Sequence, residues 1–305
     1  VTCYYPIEAW RSRERGSSGK QKIIFDGSKA VSLPFKLPCG RCIGCRLERS
    51  RQWALRCVHE ASLYEDNCYI TLTYDDEHLP SDGSLNLKHF QDFMKRLRFK
   101  YSDVRIRFFH AGEYGGKHRR PHYHALLFNF DFADKKLFKI VNGLRLYTSD
   151  VLAALWQFGF CSVGTLTFQS AAYVARYIMK KVTGDLADEH YVGCNEVTGE
   201  LVQLVPEYTT MSRGGKDGHG IGYDWFQKFH GDVFPSDEVV LREVTLRPPR
   251  YYDCLYETGY PDLFAEVKSQ RCFSSKDCTP ARLRVREYCK LVQMDRFHRR
   301  GDHET

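Results

Sequence analysis

VRIRFFHAGEYGGKHRRPHYHALLFNF, residues 104–130, carries two β-rich runs joined by a glycine-containing basic tip. Val104 to Glu113 and Tyr123 to Phe130 read as strands, and residues 114–121 read as the connection of a hairpin. His122 and His124 stand two apart at the start of the second run. Strand side chains two apart point to the same side, so both imidazoles can reach one ion. The same spacing also suits two unrelated histidines of a core or a surface. Glu113 ends the preceding strand, and a short connection would bring its carboxylate beside the pair. Two imidazoles and one carboxylate leave coordination positions open for water or a phosphate oxygen, as a catalytic centre requires. Phosphodiester chemistry would call for Mg²⁺ or Mn²⁺, and the nitrogen donors favour Mn²⁺.

Working outward, Tyr69-Ile-Thr-Leu-Thr-Tyr74 alternates, which predicts a strand with Ile70 and Leu72 on one face and Thr71 and Thr73 on the other. Leu87, Phe90, Phe93, Met94, Leu97 and Phe99 follow helical spacing, with Asn86 as its cap. An amphipathic helix is expected over Arg46 to Tyr64. Ser149 should cap Val151 to Phe158, Phe160 to Leu166 is the next strand, and Ser170 to Val182 the next helix. This order predicts an α+β domain, a central antiparallel sheet with helices on one face.

In AAYVARYIMKK, residues 171–181, Tyr173 and Tyr177 are four apart and Lys180 is three further on, which places all three on one helical face. Tyrosines so spaced often pack at the margin of a sheet with their hydroxyls in water. Beside a metal they acquire a second use. A phenol, with a reference pKa of about 10, needs a nearby cation to attack phosphorus at neutral pH. Lys180 could supply part of that field or bind the scissile phosphate.

Together, YITLTY, RPHYHALLF and YVARYIMKK resemble, in order and spacing, the three motifs of the HUH replication-initiator superfamily, and are most similar to the initiators of Microviridae, particularly gokushovirus-like phages. The resemblance extends to LPCGRCIGCRLERSRQWALRC near the N-terminus and covers residues 38 to 182 best. It implies an RNA-recognition-motif-like palm, His122 and His124 as metal ligands, and Tyr173 and Tyr177 as paired nucleophiles that hold a 5′ end during rolling-circle replication. Glu113 would be the third ligand, and Lys180 fits the lysine after the second tyrosine, with Lys181, one step away, able to do the same work. On this reading residues 1–65 form a Cys-rich segment and helix, 66–184 the endonuclease core, and 185–305 a C-terminal extension whose role the sequence does not disclose and which could pack on the core.

Composition sets the surrounding limits. The 305 residues are 43% apolar and 14% aromatic, ample for a core, and 45 Lys and Arg against 38 Asp and Glu give a net charge of +7. Lys117, Arg119 and Arg120 at the hairpin tip, with Arg105 and Arg107 on the adjacent strand and Lys181, are the phosphate-binding candidates. The expected partner is single-stranded DNA at a phage origin. With neither a helicase motif nor a P-loop, unwinding would fall to a host helicase and replication machinery. No signal-like core or membrane-length run is seen, so a host bacterial cytoplasm is expected, without a membrane partner. Among 12 cysteines, Cys39, Cys42 and Cys45 have ligand spacing, with Cys3 the preferred fourth and Cys57 or His59 as rivals, for structural Zn²⁺, an iron–sulfur cluster or free thiols. Rival functions are a conjugative relaxase or single-strand transposase, a nonenzymatic zinc-stabilised nucleic-acid-binding protein, and an iron oxygenase, which leaves both tyrosines unexplained. The glycine-rich loop at residues 212–222 is a further candidate, for cradling phosphate, and Thr279 to Arg300 is expected to be a basic helix.

Overall fold

Asn67–Thr73 buries every second residue, Cys68, Ile70 and Leu72, which is the period of a pleated strand rather than a helix. Around it the computed structural model describes the chain except residues 1–2, 17–18, 117–118, 142, 183–186, 196–197, 214–218, 242, 272–277 and 303–305, and the side chains of 177–180 and 296–302. The elements begin with β1 (Ile7–Arg15), β2 (Gln21–Ile24), β3 (Phe35–Leu37) and α1 (Ile43–Ala61). There follow β4 (Asn67–Thr73), α2 (Leu87–Lys100), β5 (Arg107–Tyr114), β6 (Pro121–Phe128), β7 (Lys136–Val141), β8 (Leu144–Thr148), α3 (Asp150–Trp156), β9 (Cys161–Thr165) and α4 (Phe168–Lys180). The chain continues through α5 (Ala187–His190), β10 (Val192–Cys194), β11 (Leu201–Gln203) and β12 (Tyr208–Met211). Last come α6 (Tyr223–Val233), β13 (Val239–Leu241), β14 (Val244–Leu246), α7 (Arg250–Gly259), α8 (Pro261–Arg271) and α9 (Pro280–Asp302).

Two units are distinguished, residues 1–49 with 273–305, and residues 50–272. In the first, β1 pairs antiparallel with both β2 and β3. In the second, seven of the described strands form a sheet in the order β12-β5-β6-β4-β9-β8-β7, every pair antiparallel, and β10–β11 and β13–β14 are separate two-stranded pairs. Asn86 caps α2 by accepting from the Lys88 amide, and Ser149 caps α3 by accepting from Leu152. At α4, Thr167 and Ser170 satisfy each other's free amides in a reciprocal cap.

The expectation that helices cover one face of the sheet is corrected by the packing. Ile70, Leu72, Ala125 and Leu127 meet Phe90, Phe93 and Leu97 of α2 and Leu152 and Trp156 of α3. On the other face Phe109, Ala111, Leu126 and Phe128 meet Ala54 and Cys57 of α1 and Ala171, Val174 and Ala175 of α4. Strands β5 and β6 are accordingly buried almost continuously rather than alternately. Leu55 of α1 faces away from the sheet into a third cluster with Phe226 of α6, Tyr252 and Tyr256 of α7, and Phe264 of α8. Part of the C-terminal extension thus adds a helical layer, and another part, β12, pairs with β5.

Candidate active site

Register decides what the sheet presents to α4. Glu113 lies opposite His122, Ala111 opposite His124, Thr71 opposite His124 and Thr73 opposite His122. Cross-strand partners share a face, so Glu113, both histidines, Thr71, Thr73 and, by alternation, Tyr69 face the same way. Ligand atoms of Glu113, His122 and His124 all lie within 4.8 Å of one another. Glu113 Oε1 is 3.0 Å from His124 Nε2 and 3.5 Å from His122 Nε2. Glu113 and His124 are buried, whereas the His122 side chain keeps 22% of its surface. The centre is therefore deep on one side and open on the other.

The other ring nitrogen of His124 is held too. Its Nδ1 lies 2.6 Å from the Tyr69 hydroxyl and 3.1 Å from Thr71 Oγ1, and Thr71 donates to Tyr69. Burial pushes the Tyr69 hydroxyl well above the usual tyrosine range, so it stays neutral. When Nδ1–H donates to this oxygen, Nε2 is left with its lone pair toward Glu113, the arrangement in which an imidazole binds a cation. A buried carboxylate beside two imidazole lone pairs needs a positive charge between them, a proton or a metal ion. The donor set of two nitrogens and one oxygen fits a divalent ion with open positions. Gly115 lets the hairpin close over this centre, since a Cβ there would sit 2.8 Å from His122 Cε1.

Tyr173 of α4 stands over the centre, its ring edge-on to His124 at 5.4 Å and to Tyr69 at 6.4 Å between centroids. It is 41% exposed, unlike Tyr69 below it. Arg176, one turn on, places its guanidinium 5.7 Å from the Tyr173 ring centroid. Between α4 and strands β8 and β9 runs a cleft of 430 Å³ that reaches Tyr69, Thr71, His124 and Tyr173 and is lined by Ser162, Thr165 and Arg176. Tyr177 and Lys180 continue the same helix, and their side chains lie outside the described residues. The end of α4 is fixed by Tyr191, whose hydroxyl accepts the Val182 amide and donates to Glu207.

Residues 67–182, which hold all of these side chains up to the end of α4, match the sequence model of the replication-associated protein ORF2 family. The replication-associated protein VP4 of Bdellovibrio phage phiMH2K is 34% identical over 286 residues, covering 90% of this chain and 83% of its own. The chain belongs to the phage replication-associated protein family. The ORF2 replication-associated protein of Spiroplasma virus 4 is 34% identical over 254 residues, covering 79% of this chain and 73% of its own. That of Chlamydia phage 1, ORF4, is 31% identical over 303 residues, covering 95% and 70% respectively. No solved structure matches the chain. Among the described residues no helix is long and apolar enough to cross a membrane.

The basic candidates separate. Arg107 does share the face of Glu113, but it is buried, pairs with Glu60 at 2.9 Å and Asp224 at 3.5 Å, and donates to the His219 carbonyl. Its expected phosphate contact is corrected: the guanidinium ties the sheet to α1 and α6. It also lies six residues from Glu113 along β5, roughly 20 Å at the strand rise. Arg105, beyond it, is exposed in a groove with Arg98 and Arg213. At the hairpin tip Arg120 pairs with Asp76 at 2.7 Å, and Arg119 donates to the His190 carbonyl. Lys181 is exposed at the end of α4, and Lys117 lies outside the described residues. Tyr69, Thr71, Gly115 and Arg176 were not singled out as site residues from sequence. The period-two alternation of YITLTY was the available signal for the first two.

Cys3, Cys39, Cys42 and Cys45 have sulfur atoms within 4.8 Å of one another. Thiolates arranged tetrahedrally around an ion at about 2.3 Å would stand about 3.8 Å apart, and Cys42 and Cys3 are 3.9 Å apart. A cluster of several irons, with sulfides between the thiolates, needs a wider ring. Backbone amides of Cys39, Cys42 and Tyr4 donate to the sulfurs of Cys3, Cys39 and Cys42. Burial works against thiolate at Cys39, yet the amides of Cys42 and Arg41 bring its pKa down to about 7. The rivals for fourth ligand have other roles: Cys57 is packed in the core, and His59 is stacked on Trp225 and bonded to Tyr252.

Proposed function

We propose that this phage replication-associated protein is a metal-dependent nickase and strand transferase that starts and ends rolling-circle replication on single-stranded origin DNA in the host cytoplasm, with a host helicase and replication machinery. The observation that carries this reading is the convergence of Glu113, His122 and His124 on one point directly under the exposed Tyr173. On this reading the sheet is the palm of an HUH endonuclease.

Glu113, His122 and His124 would hold Mn²⁺ or Mg²⁺, which supplies Lewis-acid polarisation of a non-bridging phosphate oxygen. Tyr69 and Thr71 fix the His124 ring, and Tyr173 or Tyr177 provides the attacking oxygen. That oxygen bonds to phosphorus as the bond to the 3′ oxygen breaks; the phenol gives up a proton and the departing 3′ oxygen gains one. The 5′-phosphotyrosine conserves a phosphodiester, so a later 3′-hydroxyl can reverse the step and reseal the strand without a nucleotide cofactor. While one tyrosine holds the first 5′ end, its partner is available for the regenerated origin. Lys180, with Lys181, would neutralise charge at the phosphate.

Labelled single-stranded origin DNA incubated with the protein and Mn²⁺ or Mg²⁺ should give a denaturant-resistant adduct. The adduct should disappear in the Tyr173→Phe/Tyr177→Phe double variant and in His122→Ala. No adduct with either ion removes the nickase reading and leaves a nonenzymatic nucleic-acid-binding protein. The four thiolates would hold a structural Zn²⁺, one per chain in protein purified without added metal; absence of zinc sinks that assignment.

A further inference from the structure

The charge of this chain is not spread evenly. Residues 1–49 and 273–305 carry 18 Lys and Arg against 9 Asp and Glu, whereas residues 50–272 carry 27 against 29. The unit that contains the candidate active site is thus slightly acidic, and the entire basic excess belongs to the other. A polyanion gains affinity in proportion to the phosphates it has neutralised, with release of counterions. Within the acidic unit Arg107, Arg119 and Arg120 already hold protein groups, and its exposed cations, Arg105 and Arg213 among them, are offset by an excess of carboxylates.

The basic unit has the surface for it. Arg13, Lys29, Lys36, Arg41, Arg282 and Arg284 are exposed, and a groove of 510 Å³ brings Arg13 and Lys29 together, with Glu14 and with Ser28, whose hydroxyl donates to Asp26, on its lining. Tyr5 and Phe25 are exposed, and the Arg284 guanidinium stands 3.6 Å from the Tyr5 ring centroid while donating to the Tyr4 carbonyl. Exposed cations and exposed aromatic rings on one unit suit a sugar–phosphate backbone and its bases. Few of its side chains are spent on a core: the buried ones among its described residues are Cys3, Ala9, Ser12, Cys45 and Leu283.

We infer that the unit of residues 1–49 and 273–305 is the DNA-holding module, which grips the phosphate backbone and supplies most of the salt-dependent affinity while the other unit carries out strand cleavage. This rests on the reading that DNA is the substrate. The test compares two full-length variants of equal net charge: Arg13, Lys29, Lys36 and Arg282 all to Glu, and Lys88, Lys95, Lys100 and Lys228 all to Glu. All eight positions are exposed. Binding to labelled single-stranded and duplex DNA of the same sequence is followed by anisotropy between about 50 and 200 mM salt. The first variant should bind at least tenfold more weakly and flatten the log–log salt slope on single strands by roughly 3, about 0.7 for each of four lost contacts. The second should change far less. Equal losses in both variants, or no loss in the first, overturn the inference. Salt-dependent binding by the wild type without any metal-dependent adduct would remove the nickase reading and leave this one in place.

Discussion

Replacing Tyr69 and Thr71 tests whether His124 is a ligand held in place by its other nitrogen. Tyr69→Phe keeps the ring that stands edge-on to Tyr173 and removes only the hydroxyl 2.6 Å from Nδ1. Thr71 Oγ1, 3.1 Å from the same nitrogen, remains to hold the imidazole. The single change should therefore weaken Mn²⁺ binding by about tenfold, the low end for a lost partner of a ligating histidine, or about 1.4 kcal/mol. Tyr69→Phe with Thr71→Val leaves Nδ1 without either oxygen and should cost about a hundredfold, the upper end of that range. The two hydroxyls touch each other, so the double change need not equal the sum of the singles. Mn²⁺ titration at fixed pH, with free ion followed by electron paramagnetic resonance, reads the affinity. Adduct yield at saturating Mn²⁺ should stay near wild type, because ligands and nucleophiles are all retained. Unchanged Mn²⁺ affinity in the double variant would refute the proposed orientation of His124.

Gly115→Ala should push the His122 ring off its position, because the new methyl would lie 2.8 Å from Cε1. Thermal unfolding should shift little while Mn²⁺ affinity falls, and an unaltered affinity would show that His122 is not a ligand. Arg107→Leu strips the buried Glu60 of its counterion and should destabilise the protein by about 3 to 5 kcal/mol in urea unfolding, whereas a change below about 1 kcal/mol would mean Glu60 is neutral. His59 is pushed down to about 3 by burial, and His110 is also depressed by burial. A base whose folded pKa lies below its unfolded value of about 6.5 contributes stability above that value and loses it as pH falls toward the folded one. Between pH 7 and 5 the loss should be about 2 kcal/mol for His59, with His110 adding in the same direction, and a flat urea-unfolding profile over that range would contradict both placements.

Where the sequence carried its own period, it could be read. Alternation in residues 69–74 gave β4 and its two faces, Asn86 and Ser149 announced their helices, and the His122–His124 spacing with Glu113 anticipated the cluster. The covering of both faces was not legible, because amphipathy tells a helix to bury one side without saying against which face of a sheet. Arg107 shows the same limit: alternation put it on the right face but said nothing of its depth, which Glu60 and Asp224 impose from elements far away in the chain. Strand β12 has four residues and pairs with β5 across about a hundred positions, so no local pattern marks it. The β7–β8 hairpin escaped because Lys136-Leu-Phe-Lys-Ile-Val141 does not alternate, and it leaves Leu137, Phe138 and Ile140 exposed at the margin of the sheet.

The pairing of β12 with β5 bears on where this protein can be cut. Residues 67–182 match the family model, yet Tyr208–Met211 supply the outermost ladder of hydrogen bonds to the strand that bears Glu113. Expressed by themselves, residues 67–182 would present a bare strand edge open to pairing with another chain. The stretch that matches the family model is therefore smaller than the sheet that carries the candidate site. Any transplant or minimal version of the sheet that carries the candidate site has to extend at least through Met211.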